Sequence, residues 1–109
     1  MSVRALWMDG PNSAALRDIE RPQIGDDDGL LRVELAGVCG TDVKIYHGQF
    51  AGRLGMPLIP GHEICGVVEQ IGDKAAERWG VDVGSRVAVD SFLASCCFYD
   101  LFAYQLVHF

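Results

Sequence analysis

"LLRVELAG", residues 30–37, sets Leu31, Val33 and Leu35 against Arg32 and Glu34 in strict alternation. Period two places the three apolar side chains on one face, so the stretch predicts a half-buried β-strand that stops at Gly37. The same pattern continues outward from it. Glycine and proline recur at short intervals, in "GPN" (10–12), "GDDDG" (25–29), "PLIPG" (57–61) and "GVDVG" (80–84). Brief apolar or alternating runs lie between these turn signals. "ICGVVEQI" (64–71) is more continuous and reads as a strand covered on both faces, whereas "SRVAVD" (85–90) alternates again. "TDVKIYHG" (41–48) has room for one helical turn. Short strands joined by tight turns predict a mainly β fold, an irregular barrel or a pair of sheets with short helical turns.

The bulk composition bounds what such a fold can do. A chain of 109 residues, 50% hydrophobic and 22% charged, reads as one globular domain, 1–109. A net charge of −6 counts against nucleic acid or an anionic membrane as a partner, because both call for a basic patch. The opening "MSVRALWMDG" breaks its apolar run at Asp9 and Gly10, too early for a signal peptide. The expected location is therefore the reducing cytoplasm, with Cys39, Cys65, Cys96 and Cys97 as thiols. No G-x-G-x-x-G joins a strand to a long helix, so no coenzyme-binding domain is expected. The end of the chain is different in kind. Residues 91–109, "SFLASCCFYDLFAYQLVHF", are mostly apolar with Asp100 as their one formal charge, and read as a segment buried by other protein. Their length approaches the ~20 residues of a membrane span, but Asp100 and Gln105 interrupt them and no basic cluster flanks them.

One set of residues has the types a reactive metal ion needs. A zinc ion acting as a Lewis acid takes two or three protein ligands and keeps one position open. Cys39 follows the alternating strand in register with Leu31, Val33 and Leu35, between Gly37 and Gly40, which leave the backbone free to turn closely around the sulfur. His62 follows Pro60 and Gly61, at the mouth of the next strand, with Glu63 beside it. Asp42 is of the type that accepts the second N–H of a ligand histidine and fixes its tautomer. Thr41 offers a hydroxyl that both donates and accepts. Taken one at a time, each has a plainer reading: a small core cysteine, a surface histidine, a solvated carboxylate.

Read jointly, "GVCGTD" (37–42), "PGHEICGVV" (60–68) and "VGSRVAV" (83–89) resemble the N-terminal, GroES-like catalytic domain of the zinc-dependent medium-chain alcohol dehydrogenases, a group that includes polyol and threonine dehydrogenases. The resemblance runs from about Val3 to Asp90. It implies a GroES-like β fold, with Cys39 and His62 as catalytic-zinc ligands and Glu63 as the neighbouring glutamate that ligates in some members. It further implies that Thr41 begins a proton relay from an alcohol or polyol substrate, that Asp42 orients the zinc histidine, and that hydride passes to NAD(P).

The sequence also departs from that family. Lys44 stands where many relatives carry the histidine that completes the relay. The family's structural-zinc spacing, C-x-x-C-x-x-C-x7-C, falls here on Leu93, Cys96, Tyr99 and Val107, so no structural zinc is expected. The chain ends before any coenzyme-binding segment, so catalysis is expected only when such a domain is supplied. The apolar tail would then contact that domain or a second copy. Two alternatives remain open at this point: a stand-alone β module that works by protein association, and a degenerate, shortened copy.

Overall fold

The structure, a computed structural model, describes residues 1–50, 52–90 and 105–108. These form six strands and two short helices, so the fold is mainly β. Most of the apolar tail lies outside the described residues, as do Leu93, Cys96 and Tyr99, three of the positions set against a structural zinc. No helix among the described residues is long and apolar enough to cross a membrane. The chain divides into two compact units, Met1–Arg21 with Val38–Gly61, and Pro22–Gly37 with His62–Phe109.

In the first unit, β1 (Ser2–Gly10) and β2 (Ser13–Glu20) form an antiparallel hairpin, with Ser2 opposite Glu20 and Trp7 opposite Ala15. The "GPN" turn joins them, and Asn12 takes a left-handed φ of 58°, which asparagine tolerates better than most residues. That turn also anchors α1 (Gly40–Tyr46). The Asn12 N–H donates to the Tyr46 carbonyl at 2.7 Å, and the Tyr46 hydroxyl donates back to the Asn12 carbonyl at 3.2 Å. A third link joins His47 Nδ1 to Asn12 Oδ1 at 2.9 Å. The C-terminal end of α1 is thus tied to the hairpin, while its N-terminal end carries the "GTD" residues. Met8 is buried and exchanges two 2.9 Å backbone hydrogen bonds with Leu58, which docks the 52–61 loop on the hairpin. The helix has two turns where one was expected.

The second unit is an antiparallel sheet in the order β3 (Gly29–Ala36), β4 (Ile64–Ile71), β5 (Arg86–Asp90), β6 (Gln105–His108). Its core is Val68, Val81 and Val87, packed by Leu31, Ile71, Trp79 and Val89. Helix α2 (Asp73–Trp79) follows β4, and its Trp79 packs on that core. It ends at Gly80 in the left-handed conformation, and its first turn receives backbone support as the Ala75 N–H donates to the Asp26 carbonyl at 3.0 Å. This helix escaped the sequence reading.

The strand at 30–37 is present, but its burial differs from expectation. Leu31 packs on the core, whereas Val33 is 53% and Leu35 72% exposed. The register shifts between Leu30 and Leu31 and again between Val33 and Leu35. These bulges turn the strand's second half, so one alternating face does not meet one core. Likewise β4 is covered through Gly66 and Val68, but Glu69 and Gln70 are exposed. Glu34 faces outward as expected and pairs with Arg86 at 3.0 Å, a partly exposed contact worth under about 1 kcal/mol.

Val68 makes a clear stability probe. Truncating it to alanine removes two methyl groups from a site 1% exposed, and should cost about 2 kcal/mol in chemical denaturation. Val83→Ala, at a site 65% exposed, should stay within about 0.5 kcal/mol of wild type.

Candidate metal centre

Cys39 is the N-cap of α1, in extended conformation at φ −122°, ψ −178°. Its backbone N–H donates to Asp42 Oδ2 at 2.9 Å, and its carbonyl receives the Asp42 N–H at 3.1 Å. Asp42, 8% exposed, thereby satisfies the N-cap donor and sets an acidic group at the positive end of the helix. The carboxylate foreseen as a histidine partner therefore has a visible task on the cysteine: it holds the backbone that carries the sulfur. Thr41 is exposed in the same first turn, and Lys44 is exposed in the last.

His62 and Glu63 lead into β4. Gly61, just before them, has φ 123°, a conformation open to glycine and costly for residues with a side chain. His62, which follows this turn, is half-buried. Glu63 is fixed at its backbone, since its carbonyl accepts the Gly37 N–H at 2.7 Å. That hydrogen bond sets a short leash. Cys39 follows Gly37 by two residues, a reach of about 7 Å, and His62 directly precedes Glu63.

The Cys39 sulfur, a His62 ring nitrogen and a Glu63 carboxylate oxygen come within 4.8 Å of one another. Three donors of these types would leave a fourth position open on a tetrahedral ion, as a catalytic zinc requires. One thiolate, one imidazole and one carboxylate suit zinc by chemistry as well, and Cys39 and His62 are both half-buried. Among the described residues no other group of three His, Cys, Asp or Glu side chains gathers in this way. Of the two glycines flanking Cys39, Gly40 faces open space at an ordinary φ, so the expected need for glycine there is not visible. Gly37 is closely filled, and by Glu63.

Residues 25–105 match the sequence profile of the alcohol dehydrogenase GroES-like domain. The chain belongs to that family. The match spans the loop–strand segment, the "GVCGTD" turn and the "PGHE" turn together. Among curated relatives of this GroES-like chain, a protein named a probable alcohol dehydrogenase of Mycobacterium tuberculosis is 49% identical over 90 residues, which are 83% of this chain and 24% of the relative. The erythritol/L-threitol dehydrogenase of Mycolicibacterium smegmatis is 37% identical over 99 residues, covering 84% and 27%. Among solved structures, one assigned as a zinc-binding dehydrogenase of Sinorhizobium meliloti 1021, bound to NADP, superposes with a TM-score of 0.74 at 31% identity, over 84% of this chain and 25% of that one. The chain thus spans about a quarter of the length of the relatives it matches.

Proposed function

We propose that this chain is the catalytic-domain portion of a zinc-dependent alcohol or polyol dehydrogenase, with Cys39, His62 and Glu63 as the zinc ligands. The observation that carries the reading is the convergence of those three donors to within 4.8 Å in a chain of this family. The names of its relatives, which include an erythritol/L-threitol dehydrogenase and a D-arabinitol dehydrogenase, support a small alcohol or polyol as substrate.

Zinc bound there supplies Lewis acidity that makes an alcohol O–H easier to deprotonate. The chain's own residues do the rest. Cys39 and His62 bring a soft and a borderline donor from the start of a helix and the mouth of a strand. Asp42 keeps the Cys39 backbone in place through the 2.9 Å hydrogen bond, and in this reading its carboxylate also orients His62. Thr41, exposed on the first turn of α1, accepts the substrate proton on its hydroxyl oxygen and hands its own proton toward solvent. Lys44, one turn on, is an exposed cation where a relay histidine would be, so the proton leaves by water beyond Thr41. NAD(P), the hydride acceptor, is held by a coenzyme-binding domain beside this one, with the apolar stretch 91–109 as the contact to that domain or to a second copy. A reducing cytoplasm suits a centre that needs Cys39 as a thiolate.

A domain exchange tests the activity. Residues 3–90 placed over the matching segment of the Mycobacterium tuberculosis relative should give a chain that reduces NAD(P) with an alcohol or polyol. Thr41→Val in that chimera should lower kcat by about a hundredfold or more, the usual weight of a positioned proton carrier. A chimera that folds and takes up zinc but oxidises no alcohol would defeat the dehydrogenase reading.

A further inference from the structure

The glycine at position 37 is explained neither by its backbone nor by a turn. Its φ is not among the positive values, so alanine could adopt the same conformation. What a side chain there would meet is Glu63. A Cβ built on Gly37 collides with Glu63 Oε2, stands 3.1 Å from Glu63 Cβ, and lies 3.4 Å from Glu63 Cδ. All three nearest neighbours belong to that one residue. The same glycine also donates its N–H to the Glu63 carbonyl at 2.7 Å, so Glu63 is gripped at its main chain and seated at its side chain by a single position. The carboxylate that occupies the seat is the one that gathers with Cys39 and His62.

We propose that Gly37 is a positioning residue for the metal centre: the space left by its missing side chain seats the Glu63 carboxylate and fixes its approach to the ion. The inference rests on the zinc reading above and adds to it the device that aims the third donor. Without the seat, a glutamate side chain with three rotatable bonds spreads its carboxylate over many positions, most of them in solvent. The seat removes that freedom before the metal arrives. A methyl group at position 37 fills it, and the carboxylate is expelled while the thiolate and imidazole stay.

Zinc competition titrations on the 109-residue chain test this, using four proteins: wild type, Gly37→Ala, Glu63→Ala and the double variant. Gly37→Ala should weaken zinc binding about tenfold, within the range for supports of a ligand, and Glu63→Ala by a similar or larger factor. In the Glu63→Ala background, Gly37→Ala should add less than about twofold, because the group it acts through is gone. Cobalt(II) loading gives a second readout. The sulfur-to-metal charge-transfer band should persist in Gly37→Ala, with the ligand-field bands moved to where Glu63→Ala puts them. Should Gly37→Ala alone fail to fold, the double variant removes the collision with the carboxylate, leaves only the 3.1 Å approach of the two Cβ atoms, and should bind zinc as Glu63→Ala does. Equal losses from Gly37→Ala in both backgrounds, or none in either, would overturn the positioning role. If Cys39→Ser and His62→Ala still weaken zinc in that case, the metal reading stands without it. A wild-type chain that binds no zinc removes both.

Discussion

Cys39→Ser and His62→Ala should each sharply weaken zinc binding in a chain that, as wild type, takes up about one equivalent. Structural zinc sites bind with roughly 10–16 kcal/mol, which is about 3 kcal/mol for each of four ligands, so losing one donor should raise Kd on the order of a hundredfold. The effect should reach folding. An ion that binds only the native chain stabilises it by RT ln(1 + [Zn]/Kd), so at one zinc concentration the melting temperature should rise less in either variant than in the wild type. The geometry gives a ranking too. Cys39 and His62 are half-buried and fixed by a helix cap and a strand mouth, whereas Glu63 is exposed and depends on its seat over Gly37. Glu63→Ala should therefore cost less than either of the others. Metal analysis after gel filtration, with melting curves in zinc and in chelator, reads all of this. Zinc retained in full by both variants, or a wild type whose melting point ignores zinc, would remove Cys39 and His62 from any metal centre.

The sequence pointed to the candidate donors and left what supports them obscure. Cys39, His62 and Glu63 stood out because donor types at those spacings resembled a known family, and the ligand atoms do gather. The support given by Asp42 was harder to see, since a carboxylate three residues after an N-cap can hold the cap or face a histidine, and spacing favours neither. Here it accepts the Cys39 N–H. Gly37 was read as a turn residue because sequence shows only that a side chain is missing, never which neighbour fills the gap. The strand at 30–37 makes the same point about burial. Alternation gave the shared face of Leu31, Val33 and Leu35 but not what covers it, and two bulges leave Val33 and Leu35 exposed. Helix α2 was missed because seven residues, "DKAAERW", hold too little periodicity to stand out. Its signals were compositional: paired alanines, and a glycine at position 80 where the helix ends.

Gly66→Ala should be the most damaging single methyl added to the sheet. Gly66 is buried in β4 opposite Val33, at an ordinary φ, so the penalty comes from space alone. A Cβ there strikes the Arg32 carbonyl oxygen and crowds the Arg32 carbonyl carbon at 3.0 Å and Val33 Cα at 3.1 Å. These are backbone atoms of the neighbouring strand. No rotamer change clears them, so β3 and β4 must separate or slide. Overpacking of this kind costs about 3 kcal/mol, enough to unfold much of a marginally stable domain. The damage should spread along the ladder, because Ala36 opposite Ile64 and the Gly37–Glu63 hydrogen bond lie two to four residues further on. Zinc affinity should fall with stability, although Gly66 offers no donor. Gly52→Ala is the matched control. Its Cβ would meet nothing within 4 Å at an ordinary φ, so the variant should be neutral or gain up to about 1 kcal/mol from a stiffer unfolded chain. Urea denaturation of the two variants side by side measures the difference, and equal stabilities would show that β3 and β4 do not approach as closely as Gly66 permits.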